Sequence, residues 1–132
     1  TDSLTDLYLP EYIDYFQKTR KVASFLSVKP TQSFHVVSLG EDGGVKSIKH
    51  LGNSGIWING GYFIFNKEIF KYIGDGEELV NEPFQRLIEK EELMTYKYEG
   101  FWASMDTFKD KQLLEDMHSR GDAPWEVWKK GI

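Results

Sequence analysis

A chain of 132 residues, 40% hydrophobic and 28% charged, has the length of one compact domain and too little for two ordinary ones, so residues 1–132 are expected to form a single unit. Acidic residues outnumber basic ones 21 to 16, a net charge of −5, and no basic stripe is present to track nucleic acid. The absence of cysteine excludes disulfides and Cys-based zinc sites, and no apolar run reaches the roughly 18 residues of a membrane span.

In chain order, Leu9, Tyr12, Ile13 and Phe16 fall at helical spacing, which predicts a helix over Leu9 to Lys21 with Pro10 in its first turn. Val22 to Val28 reads as a strand ended by Lys29-Pro30. Phe34 to Leu39 and Val45 to Ile48 read as strands joined through a glycine-rich turn, a hairpin. Trp57 to Phe65 has the apolar mass of a buried strand, broken by Gly60 and Gly61. Asn66 is placed to cap a short helix over Lys67 to Tyr72, and a second helix is expected from about Asn81 to Lys90. Leu93 to Tyr98 reads as a strand. Thr107 to Ser119 reads as a helix with Phe108, Leu113, Leu114 and Met117 as its apolar stripe. Strands alternating with helices indicate an α/β fold, a mixed sheet flanked by helices.

Few residues announce chemistry. His35, His50 and His118 stand at no metal-ligand spacing, and no nucleophile elbow is present. Glycines inside an apolar strand cost packing and entropy, so Gly60 and Gly61 point either to close approach of a ligand or to a bulge or crowding by a neighbouring element. Asp2 and Asp6 precede the first helix and Asp106 precedes the last, positions that suit helix capping. Carboxylates at opposite ends of a chain also suit convergence on one Mg²⁺, a hard cation that prefers oxygen.

Read in order, several segments carry a resemblance. WINGGYFIF from Trp57, NEPFQRLIEK from Asn81, LMTYKY from Leu93, GFWASMDTFKD from Gly100 and GDAPWEVW near the end follow, at matching spacing, the motifs of the sugar-1-phosphate nucleotidyltransferases. The branch that makes CDP-glucose, the glucose-1-phosphate cytidylyltransferases, is nearest. The first residues, TDSLTDLYL, resemble that family's GDGVSDVDI. The resemblance covers essentially the whole chain and implies the C-terminal half of a Rossmann-like nucleotidyltransferase fold.

That resemblance implies roles residue by residue. Asp2 and Asp106 correspond to the two carboxylates that hold Mg²⁺ and serve catalysis. Asn59, Gly60 and Gly61 correspond to the sugar-phosphate pocket, and Glu82 falls beside it. The family's lysine that approaches the sugar phosphate falls in a stretch reading KHLG here, where Lys49 is the candidate substitute. The family's glycine-rich nucleotide loop has no counterpart in the 132 residues.

Two functions follow as expectations. In one, the chain is part of a cytoplasmic enzyme joining glucose 1-phosphate to CTP with release of pyrophosphate, forming a nucleotide sugar for polysaccharide synthesis. By itself it is then inactive and binds CTP weakly. In the other, it is a shortened, non-catalytic module that binds a sugar phosphate or serves assembly. Both expect self-association or a partner chain, and the aromatic content of 15% fits a surface that something else covers.

Overall fold

The computed structural model describes residues 3–31 and 34–130. Its centre is β2, Ala23–Val28, the most deeply buried strand described. On one edge it pairs in parallel with β7, Leu93–Tyr98, in register from Ala23 opposite Leu93 to Val28 opposite Tyr98. On the other edge lie two short antiparallel strands, β5 (Ile58–Asn59) and β6 (Ile64–Phe65).

Alternation along β2 supplies both faces of the sheet. Leu26 and Val28 point to one face, where they meet Leu7, Tyr12 and Tyr96. Tyr12 belongs to α1, Leu9–Thr19, which opens with Pro10 and ends at Arg20 in the left-handed region. The Tyr12 hydroxyl lies 3.2 Å from Ser24 Oγ and donates to Tyr62 O at 2.9 Å, so this buried phenol is satisfied. Burial raises its pKa, opposed by the Ser24 hydrogen bond. Ala23 and Phe25 point to the other face, where Phe84 and Leu87 of α2, Glu82–Glu89, cover them together with Ile69. The result is a helix–sheet–helix sandwich.

Two strand pairs stand apart from the central sheet. β1 (Ser3–Thr5) pairs antiparallel with β8 (Trp102–Ser104), with Ser3 opposite Ser104. Next to them lies α3, Phe108–Ser119, whose Thr107 forms a reciprocal capping box with Asp110. β3 (His35–Leu39) and β4 (Val45–His50) form a separate hairpin with a register shift after Ser38.

The α/β expectation holds, with three corrections. Trp57 to Phe65 is not a buried strand but an interrupted edge: Asn59 and Phe65 are exposed, Ile58 and Ile64 half-buried. The expected stripe of α3 is mostly solvated, with Leu114 buried but Phe108 78% and Leu113 56% exposed. The first helix takes no cap from Asp6, because Tyr8 occupies the N-cap position without a side-chain bond, and Asp2 lies outside the described residues.

Candidate functional site

The break between β5 and β6 is a β-bulge with a specific geometry. Gly60 N donates to Leu26 O at 2.6 Å and Leu26 N donates to Gly61 O at 2.9 Å, so two residues face one. The two glycines are needed for different reasons. A Cβ on Gly60 would lie 3.1 Å from Val28 Cγ1 and 3.2 Å from both Leu26 O and Trp102 Nε1. Gly61 has open space around it but a φ of +80°, which favours glycine. Of the two sequence readings of these glycines, the structure supplies bulge and crowding directly. Tyr62 follows with φ 53°, held there as its carbonyl accepts the Tyr12 hydroxyl and its own hydroxyl donates to Ser3 O at 3.1 Å.

This bulge floors a cleft of about 640 Å³. Asn59, Gly60 and Gly61 line it, with Ser3 on the β1 side and Tyr62, Phe63 and Trp102 as aromatic walls. Trp102 closes one side by donating Nε1–H to Gly60 O at 2.9 Å. The Asn59 carboxamide oxygen accepts from Gly61 N at 2.8 Å, which turns its –NH₂ end outward as a donor. No charged side chain lines the cleft among the described residues. Amide donors and aromatic faces without a cation suit a polyhydroxylated ring better than a bare phosphate.

A second cavity of about 550 Å³ lies across Trp102, at the carboxyl ends of β2 and β7. Lys29 lines it but is paired with Glu99 at 3.0 Å, and Lys29 and Lys97 both sit 5.6 Å from the Trp57 ring centre. His50 also lines it. Its Nδ1 accepts from Gly52 N at 3.1 Å. A buttress holds the Trp102 end of this region. Asp6 accepts from the Tyr98 hydroxyl and from Phe101 N, the latter at 2.9 Å. Burial, then the Asp6 hydrogen bond, pushes the Tyr98 phenol above its ordinary pKa.

The structure brings together only part of the expected site. Asn59, Gly60 and Gly61 share the cleft. Glu82 is exposed in the first turn of α2, on a shallow surface that meets the cleft at Val80. Lys49 lies on β4 opposite Val36, exposed and outside both cavities. Asp106 is exposed and is not a helix cap, since Thr107 fills that role. Asp2 lies outside the described residues. The described β1–β8 ladder includes Ser3–Ser104, and Asp106 follows Ser104 by two residues. Among the described residues no group of three or more His, Asp or Glu is gathered to hold a metal ion, and Asp106 offers one carboxylate. No described helix is long and apolar enough to cross a membrane.

Two positioning contacts escaped the sequence reading, Trp102 to Gly60 and Tyr98 to Asp6. The partners lie 42 and 92 residues apart, and only the tertiary fold joins them.

The chain is 33% identical over 129 residues to glucose-1-phosphate cytidylyltransferase of Salmonella typhi, covering 96% of this chain and 50% of the relative. The enzyme of the same name from Salmonella typhimurium matches with the same identity and coverage. The chain thus spans about half the length of the curated relatives it matches. Among solved structures, one assigned as a glucose-1-phosphate thymidylyltransferase from Bacillus anthracis, in complex with a sucrose, superposes with a TM-score of 0.57. At 14% identity it covers 85% of this chain and 49% of its own. That likeness supports the fold. No protein-family model matches.

Proposed function

We propose that this chain, a relative of the sugar-1-phosphate nucleotidyltransferases that spans about half their length, supplies the sugar side of a nucleotidyl-transfer site. The substrate class is a sugar 1-phosphate, with glucose 1-phosphate first, and the co-substrate a nucleoside triphosphate, with CTP first. The reaction is in-line attack of the sugar-phosphate oxygen on the α-phosphorus, with pyrophosphate as leaving group. The product is a nucleotide sugar of the kind used for polysaccharides, made in the cytoplasm. In this reading the triphosphate is bound by residues outside these 132, on another polypeptide or elsewhere on the same one.

One observation carries the reading: the cleft floored by the Asn59–Gly61 bulge. The outward Asn59 amide meets ring hydroxyls, Tyr62, Phe63 and Trp102 pack against the ring, and the uncharged lining leaves the phosphate to project out of the cleft. Asp106, with Asp2, would hold the Mg²⁺ that neutralises the phosphates when bound. Lys49 and Glu82 stand at the periphery, and their part in binding is secondary to that of Asn59 in this reading.

Calorimetry with glucose 1-phosphate and the 132-residue chain tests it. Binding at a single site is expected, weakened about tenfold by Asn59→Ala, an order of magnitude that corresponds to about 1.4 kcal/mol. An Asn59→Ala chain that binds as the wild type does sinks the assignment of the cleft. The alternative, a module for binding or assembly without catalysis, shares this cleft. It is distinguished by the complete protein retaining sugar-phosphate binding but showing no turnover with CTP and Mg²⁺.

A further inference from the structure

The bulge that floors the cleft also contains a chemically fragile pair of residues. Asn59 is followed by Gly60, and Asn-Gly is the dipeptide most prone to deamidation, because glycine has no side chain to hinder its own nitrogen. In that reaction the Gly60 nitrogen attacks the Asn59 carboxamide carbon. A new C–N bond forms, and the side-chain nitrogen leaves as ammonia with the proton of the Gly60 amide. Water then opens the five-membered succinimide to aspartate or isoaspartate. Asn59 is exposed, so water reaches it. The fold opposes the first step. The Gly60 N–H donates to Leu26 O at 2.6 Å, and Gly60 is itself buried, so the proton that must leave is held away from solvent base. The succinimide has no N–H at Gly60, so closing the ring would take this donor from the carbonyl of Leu26, a fully buried residue. The Asn59 carboxamide oxygen accepts from Gly61 N at 2.8 Å. That bond draws electrons from the carboxamide carbon and so does not by itself prevent attack. The restraint therefore lies in the nucleophile.

We propose that Asn59–Gly60 is a latent deamidation site, kept closed by the hydrogen bond from Gly60 N to Leu26 O and opened when the short edge strand β5 leaves β2. β5 is two residues long and meets β2 through Ser27 opposite Asn59 and Val28 opposite Ile58. A strand this short at a sheet edge opens locally at far lower cost than the core. The Trp102 indole holds the same residue from the other side by donating to Gly60 O at 2.9 Å, so it steadies the closed state. Hydrolysis is irreversible, so modification accumulates with the time β5 spends open. Either product exchanges the outward –NH₂ donor of Asn59 for a carboxylate, in a cleft that no charged side chain lines among the described residues. Isoaspartate also lengthens the backbone by one carbon, which the two-against-one register of the bulge does not accommodate.

Ageing the 132-residue chain at mildly alkaline pH, in buffer and in unfolding urea, tests the proposal without any substrate. It therefore fails or succeeds independently of sugar-phosphate binding. Peptide mapping by mass spectrometry follows aspartate and isoaspartate at position 59. Residue-resolved hydrogen exchange measures how far the fold protects the Gly60 amide. Deamidation at Asn59 is expected to be at least about 30-fold slower in the folded chain than in urea. Release of the same N–H limits both processes, so the slowing should match the exchange protection factor within about threefold. Trp102→Phe keeps an aromatic ring and removes the indole donor. It should lower the protection factor and raise folded-state deamidation by a common factor, leaving the rate in urea unchanged. Thermal melts by circular dichroism verify that this variant is folded at the ageing temperature. Deamidation as fast in the folded chain as in urea overturns the proposal. So does slowing that exceeds the protection factor many-fold, which would put the restraint in the Asn59 side chain. So does a Trp102→Phe chain in which one quantity moves without the other.

Discussion

Strand β2 and the β3–β4 hairpin draw on similar residues and end in opposite surroundings. β2 reads ASFLSV and β3 HVVSL, each with aliphatic residues and serine. Yet Leu26 is fully buried while Leu39 is 62% exposed. The difference comes from neighbours in space. β2 has strands on both edges and helices α1 and α2 over its two faces, so each of its side chains has a destination. The hairpin has one partner strand and no cover among the described residues. Similar local propensity thus contributes to a core in one place and to an open surface in the other.

Substitutions sharpen that contrast. The largest expected effect is at the centre of the sheet. Leu26→Ala should cost about 2–5 kcal/mol, because it leaves a cavity that close-packed neighbours cannot fill. Urea unfolding would check it, and a loss under about 1 kcal/mol would mean that the core is looser than its burial implies. Gly60→Ala should come next, at about 1–3 kcal/mol. Its methyl group would press on Val28 and Leu26, which are held by the sheet, and on the Trp102 indole. The same variant should disturb the cleft, so tryptophan fluorescence is expected to change with it. The smallest effect belongs to the hairpin: Val45→Ala should alter the stability of the monomer by less than about 0.5 kcal/mol. A larger loss would show the hairpin face to be covered from within.

How much of this could be read from the chain depended on the range of the interaction. Local signals were legible. Asn66 caps the short helix as expected, accepting from Glu68 N at 2.9 Å, whereas the cap of α3 is Thr107, one residue past the expected Asp106. Leu93 to Tyr98 is a strand because its flanking acidic and glycine residues bound a short apolar run. The errors arose where an apolar run was taken as a sign of depth. Trp57 to Phe65 is apolar enough for a core strand, but the bulge at Gly60–Gly61 interrupts it at the sheet edge. Phe108 and Leu113 have helical spacing but face solvent, because α3 buries only Leu114 against its surroundings. In the candidate site the glycine pair and Asn59 stood out as chemically unusual for a strand. Lys49 did not turn out to line the cleft, since hairpin register, set by Val36 opposite Lys49, decides where it lies. Nothing local marks Trp102 as the residue that latches Gly60.

The pairing of β1 with β8 has a consequence for the life of the chain. Ser3 finds its partner at Ser104, about a hundred residues along the chain. A chain emerging from a ribosome can form α1, the hairpin and much of the central sheet while β1 still has no strand to pair with. Loop-closure entropy sets a late, slow step, since contacts between such distant residues must be reached by search rather than by zipping from neighbours. β1 is therefore among the last of these strands to dock, and the Ser3 wall of the cleft is completed only once Ser104 is in place.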